Sequence, residues 1–219
     1  MKEPIVAYIV CLLLTVVCAL TAGIGGWVNT VAWFAAVFSL MAVPLVIVRR
    51  IHPRDEVEAG IAIAWSARDL LTGLAVLAIL FVPVALGNHF VRTEIQGLAF
   101  SFSWDHYANL SLGYEVLVQI VAVALPEEFF YRGYLQTAFM QFFRGRPQTA
   151  KAAPALAIGL ASICFAIVHL PTGGLPRLLT FFPGLLFGTI RHKTGGLLGC
   201  IACHAGCNLM MLVMNVHYT

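Results

Sequence analysis

Three groups of ionisable or amide side chains stand in segments otherwise too apolar to hold them. Glu127, Glu128 and Arg132 lie in Ala124-Leu125-Pro126-Glu127-Glu128-Phe129-Phe130-Tyr131-Arg132-Gly133, Phe165 and His169 in a second apolar run, and His204 and Asn208 in a third. A charge at bilayer depth costs roughly 2.5 to 3.5 kcal/mol on insertion scales, so each group needs a reason to be there. On a helix Glu128 and Arg132 are i and i+4 and share a face, which suits an ion pair. Glu127 lies about 100° further round and is left unpaired. Arg132 is therefore expected to hold Glu128 and the local backbone, while Glu127 faces a wet cavity and does chemistry. The alternative is a structural ion pair with a spare carboxylate reaching to water.

A carboxylate beside an imidazole can take a proton from water and deliver a hydroxide-like nucleophile to a carbonyl carbon. A second imidazole and a carboxamide can donate hydrogen bonds to the oxygen that becomes negative. Glu127, His169, His204 and Asn208 supply that inventory. Glu127, His169 and His204 could also ligate zinc, since two histidines and a carboxylate form a known catalytic ligand set. The sharper His-Glu-x-x-His signature does not occur, so a metal-free site with no cofactor is favoured and zinc is kept as the alternative.

These residues must be positioned by rods that cross a bilayer. Of the 219 residues 60% are hydrophobic and 11% charged, with a mean hydropathy of +0.89. A soluble domain carries about 25% charged residues, which points to an all-α integral membrane protein, a bundle of about seven transmembrane helices around an intramembrane polar cavity. The expected spans are 5–22, 27–48, 70–86, a long segment 112–143, 153–170, 175–190 and 197–216. The first is read as a retained span, because Lys2 balanced by Glu3 makes a poor signal-peptide start. Residues 61–68 read as a short interfacial helix and 87–111 as the one long polar connection. The 112–143 segment is too long for one span and is expected to break or kink at Pro126 and Gly133. A kink is likewise expected at Pro183-Gly184.

With the amino terminus in the cytoplasm, only Arg92 and Arg177 fall outside and Arg132 lies in the membrane. The other 10 of the 13 basic residues, Arg54 among them, then lie inside, as the positive-inside rule requires. Counting from the polar link Arg144 to Lys151, Glu127 is 17 residues up one arm and His169 is 18 up the other, so the two can be neighbours about 25 Å above it. His204 is 11 residues past Lys193, about 16 Å up, and needs a tilt or a deep turn at 195–199 to join them.

The ordered set Glu127-Glu128-x-x-x-Arg132, Phe165-x-x-x-His169 and His204-x-x-x-Asn208 resembles the three motifs of the CAAX-protease and bacteriocin-processing (CPBP, Rce1-like) family of intramembrane peptidases. The resemblance covers about 112–216, a family-like catalytic core, and leaves 1–111 as accessory transmembrane helices and loops of one membrane-embedded domain, 1–219. It implies peptide-bond hydrolysis near the end of a membrane-tethered protein or peptide. Glu127 with His169 would activate water, His204 and Asn208 would stabilise the oxyanion, and Glu128, Arg132 and Phe165 would support the site. It further implies a bacterial or archaeal plasma membrane, with C-terminal sorting anchors or bacteriocin-type peptides as substrates.

Other classes fit less well. Basic residues do not interleave with aromatics as nucleic-acid binding would want. Cys200-x-x-Cys203-His204 matches a c-type haem attachment pattern but lies in an apolar helix. A transporter would be expected to show an internal repeat, and none is visible. A non-catalytic binding or immunity protein on the same scaffold stays open.

Overall fold

The computed structural model describes residues 1–53, 55–108 and 110–219. Arg54, counted above on the inner side, lies outside the described residues. The described residues are helical throughout, apart from loops and one isolated antiparallel bridge, Phe100 with Tyr218, near the carboxyl end. The principal rods are α1 (Lys2–Thr21), α2 (Gly26–Val46, with a π-helical extension Ile47–Ile51), α3 (Ala67–Phe90, extended by Val91–Ile95), α4 (112–144), α5 (Ala153–Val168), α6 (Phe181–Thr194) and α7 (Leu198–Asn215).

By length and composition four of these can cross a membrane: Lys2–Thr21, Gly26–Ile51, Ala67–Ile95 and Leu198–Asn215. Ala153–Val168 is apolar but shorter. The outer faces of the first three expose large apolar side chains, such as Leu13, Leu20, Phe38, Leu71 and Ile79. A row of such groups facing outward is stable against lipid and costly against water. The chain is a multi-pass integral membrane protein.

α1 packs on α2; α2 leans on one side of α4 and α1 on α5; α3 packs on α7, which packs on α4 and α6. One core joins α1, α2, α4 and α5 around Phe129, Phe130, Tyr131, Tyr134 and Phe165, and a second joins α6 to α7 around Phe187, Ile190, Cys200 and Cys203. All six cysteines are free thiols.

Several local expectations are corrected. α4 neither breaks nor ends at Pro126 or Gly133. It runs on by changing helical type: π over Val118–Ala124, α over Leu125–Glu128, π over Phe129–Leu135, then α over Gln136–Arg144. The Leu125 N–H reaches back to the Ile120 carbonyl and that of Gln136 to Tyr131, five residues each. Widening the turn before a proline relieves the crowding of its ring against the preceding carbonyls. Residues 61–66 are not helical, because Gly60 turns the chain at φ +80° and helix begins only after Ser66 caps it by accepting from the Asp69 N–H. α3 runs on to Ile95, shortening the polar connection, and Pro183 sits in the first turn of α6 instead of kinking it.

Small residues set the helix spacing. Gly73 on α3 lies against the backbone of Gly199 on α7, and Gly188 on α6 lies against Gln136 and Ile158. With no apolar driving force between helices in lipid, such close packing is one source of cohesion, beside interhelical hydrogen bonds. The Gly73→Val side chain has no room beside Gly199, so this variant should lose about 1–3 kcal/mol. The expected readout is a lower unfolding temperature in detergent and less protein in the membrane fraction, while Gly87→Val, which meets open space, should change neither.

Candidate active site

Residues 125–128 of α4 form a single α-helical step between two π segments, and this step carries both glutamates. π-Type turns inside helices are frequent at functional sites because they rotate side chains out of the regular register. Glu128 is fully buried and Glu127 is partly exposed, so the adjacent carboxylates meet different environments.

Glu128 Oε1 lies 3.1 Å from Arg132 Nη1, and the expected i, i+4 pair is thus present with both side chains buried. The same oxygen accepts from His204 Nδ1 at 2.8 Å. The Arg132 guanidinium stacks over Phe165, 4.1 Å from the ring centre, and stands 5.3 Å from that of Phe187. Phe187 in turn stacks on the His204 ring at 4.9 Å and 17°. Arg132 and Gln136, one turn apart on α4, donate to the carbonyls of Gly184 and Gly188, one turn apart on α6, at 3.5 and 3.0 Å. These contacts lock α4, α5, α6 and α7 together around one buried cation.

Glu127 Oε2 faces both imidazoles, 3.9 Å from His169 Nε2 and 3.8 Å from His204 Nε2. It makes no hydrogen bond among the described residues. Distances near 3.9 Å are too long for direct hydrogen bonds and suit a bridging water. His169 closes α5: its backbone N–H follows the helix, while its Nδ1 lies 2.7 Å from the Phe165 carbonyl. A carbonyl only accepts, so Nδ1 carries the hydrogen and, in the neutral ring, Nε2 presents a lone pair to Glu127. The orphan carbonyl of the helix end thus chooses the tautomer. Asn208 Nδ2 donates to Gln119 Oε1 at 2.9 Å, which orients the carboxamide and leaves its second N–H free of that bond.

The depth count for His204 falls short because α7 starts deep in the bundle. The Leu197 side chain packs at Gly133, and Asp69, with no exposed surface, fills the space beside Gly196 and Gly199 at the first turn of α7. Glu127 is then six residues above Gly133 and His204 seven above Leu197, at equal height. Both carboxylate oxygens of Asp69 are buried there and make no hydrogen bond among the described residues.

A cavity of about 740 Å³ borders Glu127, His169, His204 and Asn208, with α3, α6 and the Pro176–Thr180 stretch supplying the remaining walls. Its lining is chiefly apolar, with these polar groups and Arg177 converging on it. Residues 109–210 match the family model described as type II CAAX prenyl endopeptidase Rce1-like. This part of the chain is similar to that family. No curated protein and no solved structure matches the chain. The Rce1-like segment holds all seven residues singled out from the sequence, together with Gln119, Gln136 and Phe187; α1, α2 and α3 lie outside it. The family it resembles is described as an endopeptidase, whose substrates are proteins or peptides.

Two residues in contact with the site, Gln119 and Gln136, were visible in the sequence only as polar interruptions of an apolar run. Phe187 gave no sign, since nothing sets it apart from its apolar neighbours. The Cys-x-x-Cys-His pattern is packed away: Cys200 and Cys203 have no exposed surface and His204 is bonded to Glu128. Glu127, His169 and His204 have the donor types zinc takes, yet among the described residues no group of three His, Cys, Asp or Glu is arranged to hold a metal ion.

Removing one member of a buried ion pair strands the other. Glu128→Ala should therefore cost about 3–5 kcal/mol, and Glu128→Leu combined with Arg132→Met should recover most of it while staying inactive, as measured by thermal unfolding in detergent alongside a cleavage assay.

Proposed function

We propose that the protein is an intramembrane endopeptidase of glutamic type, and the observation that carries this is one carboxylate oxygen of Glu127 facing the Nε2 atoms of two imidazoles fixed from behind. A water between Glu127 and His169 gives up a proton to the Glu127 carboxylate as its oxygen attacks the scissile carbonyl carbon. The carbonyl oxygen becomes negative and is met by N–H groups of His204 and Asn208. A His204 ring that donates from both nitrogens is an imidazolium, and Glu128, balanced by Arg132, is its counter-charge. As the carbon–nitrogen bond breaks, Glu127 returns the proton to the departing amine. Glu128, Arg132 and Phe165 hold the site without touching the reacting atoms.

In this reading α4, α5 and α6 also cross or enter the bilayer, for seven spans in all, with the amino terminus in the cytoplasm of a bacterial or archaeal cell. The substrate is a membrane-tethered protein or peptide cut near its end, such as a C-terminal sorting anchor or a bacteriocin-type peptide. The short, weakly polar loops suit a compact tethered substrate.

Glu127→Ala, His169→Ala and His204→Ala should each abolish release of a terminal fragment from a co-expressed tethered substrate while the protein still accumulates in the membrane. Asn208→Ala should slow it by about 10²–10³-fold, the usual effect of losing one oxyanion donor. Mass spectrometry of the fragment is the measurement. Full processing by Glu127→Ala would remove the mechanism, and loss of activity with 1,10-phenanthroline would replace it by a zinc reaction.

A further inference from the structure

Glu127 and His169 border a second cavity of about 400 Å³ on the side of α4 opposite the α3–α7 pair. Val123, Glu127 and His169 belong to both cavities, while Trp33, Val37 and Leu40 of α2 with Thr15 and Cys18 of α1 complete the second. α1 and α2 lie outside the Rce1-like segment, so this cavity is built by the part of the chain that segment does not cover. Tyr131 also lines it, and its side chain is fully buried with a hydroxyl that makes no hydrogen bond among the described residues.

Resting on the protease reading, we infer that this second cavity is a specificity subsite that takes a bulky apolar side chain from one of the two residues flanking the scissile bond. An extended peptide points successive side chains to opposite faces. A scissile amide held at Glu127 therefore sends the residue on one side of it toward the α3–α6–α7 cavity and the residue on the other toward the α1–α2 cavity. Walls of Trp33, Val37 and Leu40 favour an aromatic or branched aliphatic group and offer nothing to a charged one.

The test uses tethered peptides that differ only in carrying Phe or Ala immediately before, or immediately after, the cleaved bond. Val37→Trp, which fills the cavity from its partly exposed side, should lower the Phe-to-Ala ratio of kcat/KM at least ten-fold at one of the two positions. A Val37→Trp enzyme with both ratios unchanged overturns the subsite. A reduced-amide analogue of the Phe peptide, which cannot be hydrolysed, should bind wild type at least ten-fold more tightly than Val37→Trp. That binding arm reads the cavity even if Glu127→Ala proves active, so loss of the protease mechanism and loss of the subsite are told apart.

Discussion

The buried contact of Glu128 with Arg132 and His204 is the constraint on which the rest of the bundle depends. Desolvating two charges is expensive and is recovered only with close geometry and further polar partners. Here those partners come from other helices: the imidazole of α7, the ring of Phe165 on α5, and the ring of Phe187 and the Gly184 carbonyl on α6. A helix that shifts by a turn would strand a charge in an apolar interior. The cost of that stranding makes one arrangement of four rods much more stable than its neighbours, which is the physical content of calling Arg132 and Glu128 supporting residues.

The same network separates the work of two chemically identical neighbours. Glu128 is sealed and engaged on one oxygen by both Arg132 and His204, whereas Glu127 opens on two cavities and bonds nothing around it. The imidazoles are sorted in a parallel way. His169 spends its Nδ1 hydrogen on the carbonyl of a helix end, and His204 meets a carboxylate, so their outward-facing nitrogens need not carry the same protonation. Differences of environment, with few residue types, give the site an acceptor edge and a donor edge.

The α1–α2 pair extends this logic beyond the Rce1-like segment. Its outer faces are apolar and exposed, while its inner faces wall a cavity that reaches the Glu127 carboxylate. Helices needed only as bulk would pack flush against α4 and α5; these instead leave room beside Tyr131. The part of the chain outside the Rce1-like segment thus reaches the same carboxylate from the side of α1 and α2.

Read alone, the sequence determined the periodic and compositional facts. Apolar runs of bilayer length, the i, i+4 spacing of Glu128 with Arg132, and the equal heights of Glu127 and His169 above one polar link follow from helix geometry and the cost of charge in lipid. Tertiary structure decided what depends on where a rod begins and which way its carbonyls point. The deep start of α7 rests on Leu197 reaching Gly133 and on Asp69 beside Gly196, contacts made across the bundle by residues far apart in the chain. The unbroken course of α4 through Pro126 rests on π-type turns, and helical periodicity at 3.6 residues per turn cannot reveal those. The hydrogen position on His169, the orientation of Asn208 by Gln119, and the second cavity all require knowing which helices are neighbours, because each is set by a partner supplied from elsewhere in the fold.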